Sequence, residues 1–123
     1  MEKAKKVIIN RKTIIIDARH DIAGRLASKT AKILIGKTKS SYLPYIDAGN
    51  FVKVINIKDL KFSGKKVNTK LYFRTSGYLG GLKTTKMSEL LVKKPAELFK
   101  KMVFNMLPKN KLRKPRTKRL IIK

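Results

Sequence analysis

Thirty-two lysines and arginines stand against seven acids in this chain of 123 residues, a formal net charge of +25 that any compact form must hold at close quarters. Self-repulsion on this scale opposes a globule, so a fold that carries it implies a polyanion that neutralises it in use. The bias sharpens at the end. Lys109 to Lys123 holds eight lysines and arginines and no acid, directly after an apolar helical stretch ending at Met106-Leu107-Pro108. The chain thus reads as a basic N-terminal extension (1–12), one α/β domain (13–108) and a basic C-terminal arm (109–123).

The remaining composition excludes several classes. With 42% hydrophobic residues, a chain of this length can bury roughly two-thirds of the surface its unfolded form exposes, so it is more than a basic tail. There is no cysteine and His20 is the single histidine, which removes disulfides and cysteine-ligated zinc. No apolar run approaches the roughly twenty residues of a membrane-spanning helix; Val7–Ile9 and Thr13–Ile16 are short β-branched runs. Residues 1–12 include Glu2 and lack the apolar stretch of a secretory signal.

Thr13–Asp17 reads as a buried strand and Phe51–Asn56 as a second. Between them, Ile22, Leu26, Ile33 and Leu34, with Ala23, Ala27 and Ala31, outline one helical face that Asp21 can cap at its start and Gly36 at its end. Strand, helix, strand implies a parallel pair. Leu60–Phe62 and Leu71–Phe73 read as shorter strands around the polar turn Ser63-Gly64-Lys65-Lys66. Ser88 can cap a short helix to Lys93, and Pro95 opens another through Met106 with Leu98, Phe99, Met102, Val103 and Met106 inward. Leu120-Ile121-Ile122 can add an edge strand. The expected class is α/β, with helices packed on a mainly parallel sheet.

Three groups of cations suit phosphate. Arg25, Lys29 and Lys32 fall in one helical row, which fits a solvated face as well as phosphate contact; Lys65 and Lys66 sit in a turn; Lys109, Asn110, Lys111, Arg113, Lys114, Arg116, Lys118 and Arg119 populate the arm. The arm's charge density, with Pro108 and Pro115, predicts an extended segment ordered along RNA. The segment Ser76-Gly77-Tyr78-Leu79-Gly80-Gly81-Leu82-Lys83, preceded by Arg74, fits either a tight turn or a loop whose backbone approaches RNA closely, with Tyr78 available for stacking. It matches neither a P-loop nor GxGxxG. Tyr42, Tyr45, Tyr72 and Phe73 are expected to pack in or near the core.

Material for catalysis is thin. Asp17, His20 and Asp21 are close in sequence, but no nucleophile motif accompanies them, and a strand-end acid beside a surface histidine is the better reading. Asp47-Ala48-Gly49-Asn50 has turn composition, so Asp47 is expected to brace a turn rather than hold a metal.

Four segments then fall into register: Gly24-Arg25-Leu26-Ala27-Ser28; Asp47-x-Gly49-x-x-Val52 leading into Val54-Ile55-Asn56; Ser76-Gly77-Tyr78-x-Gly80-Gly81-Leu82-Lys83; and Met106-Leu107-Pro108-Lys109-Asn110-Lys111-Leu112. In this order and spacing the chain closely resembles the large-subunit ribosomal protein L-thirteen family, in its bacterial or organellar form, from about Ile14 to Leu120. Thr75, Leu79 and Arg113 stand where that family usually has histidine, proline and glycine. The resemblance implies a three-layer α/β domain that binds large-subunit rRNA beside neighbouring ribosomal proteins and takes part early in subunit assembly. It also implies no catalytic site, no metal and no cofactor. The expected location is a cytoplasmic ribosome, an organellar one being the alternative. A free-standing nucleic-acid chaperone is the runner-up function, and an α/β enzyme acting on a nucleotide a distant third.

Overall fold

The computed structural model describes residues 8–123; Met1 to Val7, the outer part of the basic extension, lie outside the described residues. Strand β1 (Thr13–Asp17) and strand β2 (Phe51–Ile55) pair in parallel, with helix α1 (Ala23–Ile35) between them in the chain. Strand β5 (Leu120–Ile122) joins β2 on its other side, also in parallel, giving the order β1-β2-β5. Ile14 lies opposite Val52 and Ile16 opposite Val54, which in turn face Leu120 and Ile122. This register puts six β-branched or aliphatic side chains on one face, because side chains alternate across a strand.

Helix α1 covers that face. Its small residues Ala23, Ala27 and Ala31 and its aliphatic Leu26 and Leu34 are buried, and full burial of each large aliphatic contributes about 1.5–3 kcal/mol. Gly36 ends the helix at φ 87°, donating its N–H back to Ile33 and Lys32, a conformation glycine adopts without a Cβ penalty. Helix α4 (Pro95–Met106) begins with proline at its first position and packs Phe99 and Val103, both fully buried, into the same cluster. The sheet's other face carries Ile15 and Ile121, both exposed. The class is therefore mixed α/β with a mainly parallel sheet, and a separate two-stranded antiparallel ribbon stands beside it.

That ribbon corrects the reading of the middle of the chain. Strand β3 (Leu71–Thr75) pairs with strand β4 (Leu82–Lys86), not with residues 60–62, whose strand-like contact is a single bridge between Lys61 and Ile22. The expected turn is present at Gly64 and Lys65, and the chain leaves it in a short helix, α2 (Lys66–Thr69). Helix α3 (Met87–Lys93) starts one residue before Ser88, with Lys86 in the capping position. At α1 the capping position belongs to Ile22 and no side chain caps it; the Asp21 carboxylate lies 3.6 Å from Lys29 instead. Met106, expected inward, is 43% exposed.

The largest correction concerns the C-terminal arm. Arg113–Lys118 forms helix α5, and Arg116 and Arg119 are buried at 1% and 6% exposure. Pro115 does not prevent this, since it is the third helical residue, where the backbone N–H has no intrahelical acceptor to lose. Burial of the arginines is made possible by Asp47. Arg119 donates to both carboxylate oxygens, at 2.5 and 2.7 Å, and to the Leu34 carbonyl at 2.7 Å. Arg116 Nε stands 3.6 Å from the same carboxylate and Arg11 3.8 Å. Asp47 thus braces the chain terminus against the α1–β2 connection, not merely its own turn. Gly49 beside it is required by contact: a Cβ there would lie 1.7 Å from the Leu34 carbonyl oxygen.

Candidate nucleic-acid interface

Among the described residues, the cations with an acid partner within 4 Å are Arg11, Arg19, Lys29, Lys94, Arg116 and Arg119. Charge elsewhere has no acid within that distance, and three regions of the fold collect much of it.

The β3–β4 hairpin is the first. Arg74 and Lys83 are directly opposite across the ladder, so their cations share one face with Tyr72, and like charges so placed destabilise a hairpin unless an anion lies between them. With Thr75 and Ser76 they line a small hollow at the hairpin tip. The tip is a turn built from its own backbone: Ser76 N–H donates to Gly81 C=O and Gly81 N–H to Tyr78 C=O, both at 3.0 Å. Gly77 and Gly80 have φ of 88° and 75°, which accounts for both glycines without any close neighbour. Tyr78 is 83% exposed and Leu79 wholly so. Phe73 and Tyr45, expected near the core, are also largely exposed.

The second region lies between α1 and α2. Arg25 and Lys66 are on the rim of one cleft of about 470 Å³, together with Lys70, Ile22, Gly24, Ser28, Phe62 and three methionines, Met87, Met102 and Met106. Lys29 and Lys32 continue the exposed row along α1, Lys29 held toward Asp21 and Lys32 in the last turn, where a cation complements the helix dipole. Lys65 precedes α2 and is exposed.

The third is the surface of α4 and α5. Lys100, Lys101, Lys114 and Lys118, with the single acid Glu97, surround a groove floored by Phe104 and Thr117, and Lys109, Asn110 and Lys111 extend it around Phe104. Arg113 is partly committed elsewhere. Its guanidinium donates twice to the Phe104 carbonyl, at 2.8 and 2.6 Å, and stacks 3.7 Å from that ring's centre, so it closes the C-terminal end of α4. Arg116 and Arg119 are turned inward to Asp47, away from this surface.

Sequence reasoning missed Lys70 and Lys101, whose ammonium groups lie 5.3 and 4.6 Å from the Tyr72 ring centre. The Lys66–Lys70 spacing of four was a signal that both share a side; Lys101 had none, because α4 meets the hairpin only in the tertiary fold. Burial pushes the Tyr72 phenol above its usual value, and its hydroxyl has no hydrogen-bond partner. Lys39 is held below the ordinary lysine range by burial first and by Arg11, Arg119 and Lys12 next; it donates to the Asn10 and Ala48 carbonyls at 2.6 and 2.7 Å.

The acid–histidine group is a surface feature. His20 is exposed and 3.9 Å from Asp17, whose carboxyl is lowered chiefly by the Arg19 backbone N–H it accepts. No cluster of histidine and acid side chains able to hold a metal occurs among the described residues, and no described helix is long and apolar enough to cross a membrane.

Comparison with known proteins joins these regions. The family model described as Ribosomal protein L13 matches residues 11–122, from the start of the parallel sheet to its last strand. The large ribosomal subunit protein uL13 of Trichlorobacter lovleyi is 41% identical over 119 residues, covering 97% of this chain and 84% of that protein. Its counterpart in Aliarcobacter butzleri is 46% identical over 112 residues, 91% and 81% of the two chains, and that of Brevibacillus brevis 47% over 109, 89% and 75%. With a family model that spans every described element of the fold, and relatives that cover 89–97% of the chain, the chain belongs to the ribosomal protein L13 family.

Proposed function

We propose that this chain is a structural component of the large ribosomal subunit of the cytoplasmic ribosome, one that binds large-subunit rRNA, contacts neighbouring subunit proteins and supports early assembly, without catalysis or cofactor. The observation that carries the reading is the Arg74–Lys83 pair. A like-charged cross-strand pair with no acid beside it is costly in the free chain and becomes favourable once phosphate lies across both. Arg25, Lys32, Lys65, Lys66, Lys109, Asn110, Lys111, Lys114 and Lys118 supply further phosphate contacts, and Ser76, Gly77, Tyr78, Gly80 and Gly81 present backbone and a ring to unpaired nucleotides. Lysines give affinity without sequence; the rigid spacing of the three regions gives shape selectivity. The family's three-layer arrangement belongs to the same reading: the exposed Ile15 and Ile121 offer a sheet face for a further layer.

Cosedimentation tests this. The chain should remain with large subunits through a high-salt wash that strips non-specifically bound basic proteins. Release at modest salt, with equal binding to unrelated RNA, would favour a free nucleic-acid chaperone instead.

A further inference from the structure

We infer that the cleft between α1, α2 and α4 is a pocket for a single unstacked RNA nucleotide, its base held against the methionines and its phosphates by the rim. This rests on the rRNA-binding reading above and assigns it a specific subsite. At about 470 Å³ the cleft lies within the roughly 300–1,000 Å³ range of small-ligand sites. Its apolar surface is made mainly by Ile22, Phe62, Met102 and Met106, with Met87 behind them at 2% exposure. Thioethers are polarizable and form favourable contacts with aromatic rings while adapting to their outline, and an aromatic side chain adds a stacking surface. The three cations on the lining are Arg25, Lys66 and Lys70, all exposed, and no acid lines the cleft.

Gly24 gives the independent indication. It sits in the first turn of α1, where alanine is the better helix former. Its φ is not in the left-handed region, and a Cβ built on it would meet nothing within 4 Å. Neither backbone conformation nor packing within the chain accounts for a glycine here, whereas a ribose or base pressed against the helix backbone does. Ser28, the polar neighbour on the same wall, already donates to the Gly24 carbonyl at 3.1 Å. The cleft's charged lining consists of donors only, which suits phosphates and does not suit a peptide backbone, whose N–H groups need acceptors.

The test uses the full chain and a large-subunit rRNA transcript containing 4-thiouridine. Gly24→Ala and Gly24→Leu are compared with the parent for thermal melting, affinity and photo-crosslink position. Both variants should melt at or above the parent temperature. Gly24→Leu should weaken binding by at least about fivefold, the low end of what one base stack contributes, and Gly24→Ala less. Crosslinks at Phe62, Met102 or Met106 should be present in the parent and absent from Gly24→Leu, while those in the hairpin persist. A folded Gly24→Leu that binds as tightly as the parent, with crosslinks confined to the hairpin and residues 109–118, overturns the pocket and leaves the rRNA reading standing. A parent chain that does not bind the transcript overturns both. Crosslinks from the cleft to a neighbouring protein in assembled subunits, with none to RNA, would give the site to a protein segment and also overturn the proposal.

Discussion

Asp47 is the residue that ties α5 and the start of β5 to the α1–β2 connection. It faces the guanidinium groups of Arg119, Arg116 and Arg11, and Arg116 is almost wholly buried with Nε and Nη2 lacking hydrogen-bond partners. Removing the carboxylate leaves two buried cations uncompensated, which for buried pairs costs several kcal/mol. Asp47→Asn should therefore lose about 3 kcal/mol in urea unfolding, the low end of that range, because the side chain is 18% exposed. Arg116→Met should cost clearly less, since it removes the poorly satisfied cation along with its partner's burden. If the two variants unfolded at the same urea concentration, Asp47 would not be the member of the cluster on which the arginines depend. The turn chemistry around Asp47 was legible in the sequence. Its partner 72 residues downstream was not, because an isolated acid in a basic chain gives no sign of which of many arginines it selects.

At the scale of elements, the β1–α1–β2 unit was readable because short β-branched runs and a helical apolar pattern agree with local signals such as Gly36. The hairpin was legible only in part: Leu71–Phe73 reads as a strand, but its partner β4 is largely polar and, apart from Thr85, exposed, so no hydrophobic alternation marks their pairing. Helix α5 was hidden by its charge, which the half-buried Asp47 reconciles with folding, and by its proline, which is tolerated because it stands in the first turn. The hairpin is testable by itself. Arg74→Gln with Lys83→Gln should leave the melting temperature of the free chain unchanged or raised, while reducing the salt slope of rRNA binding by up to about two, roughly 0.7–0.9 for each phosphate no longer neutralised. Unchanged affinity would remove the hairpin from the interface. Gly80 separates turn geometry from close approach. With φ at 75° and open space around its Cβ position, Gly80→Asn should keep both fold and rRNA affinity, as asparagine visits that region, whereas Gly80→Val should disrupt the tip. Loss of rRNA binding by a folded Gly80→Asn would mean that RNA backbone, not the turn, requires the glycine.

For the whole molecule, a net charge of +25 makes the free chain and the bound chain respond oppositely to salt. Raising ionic strength from about 0.1 M to 1 M shortens the Debye length from roughly 10 to 3 Å, so the free chain should melt higher as self-repulsion is screened. Binding should weaken over the same range, because each neutralised phosphate releases counterions. The most direct measurement of the central claim is therefore the equilibrium affinity for large-subunit rRNA across a salt series. With about six to eight phosphates neutralised by the three cationic regions, the log–log slope should be roughly −4 to −7, and affinity at high salt should exceed that for an unrelated RNA of equal length. A slope near −1, or identical curves for the two RNAs, would contradict the assignment of these surfaces to rRNA recognition.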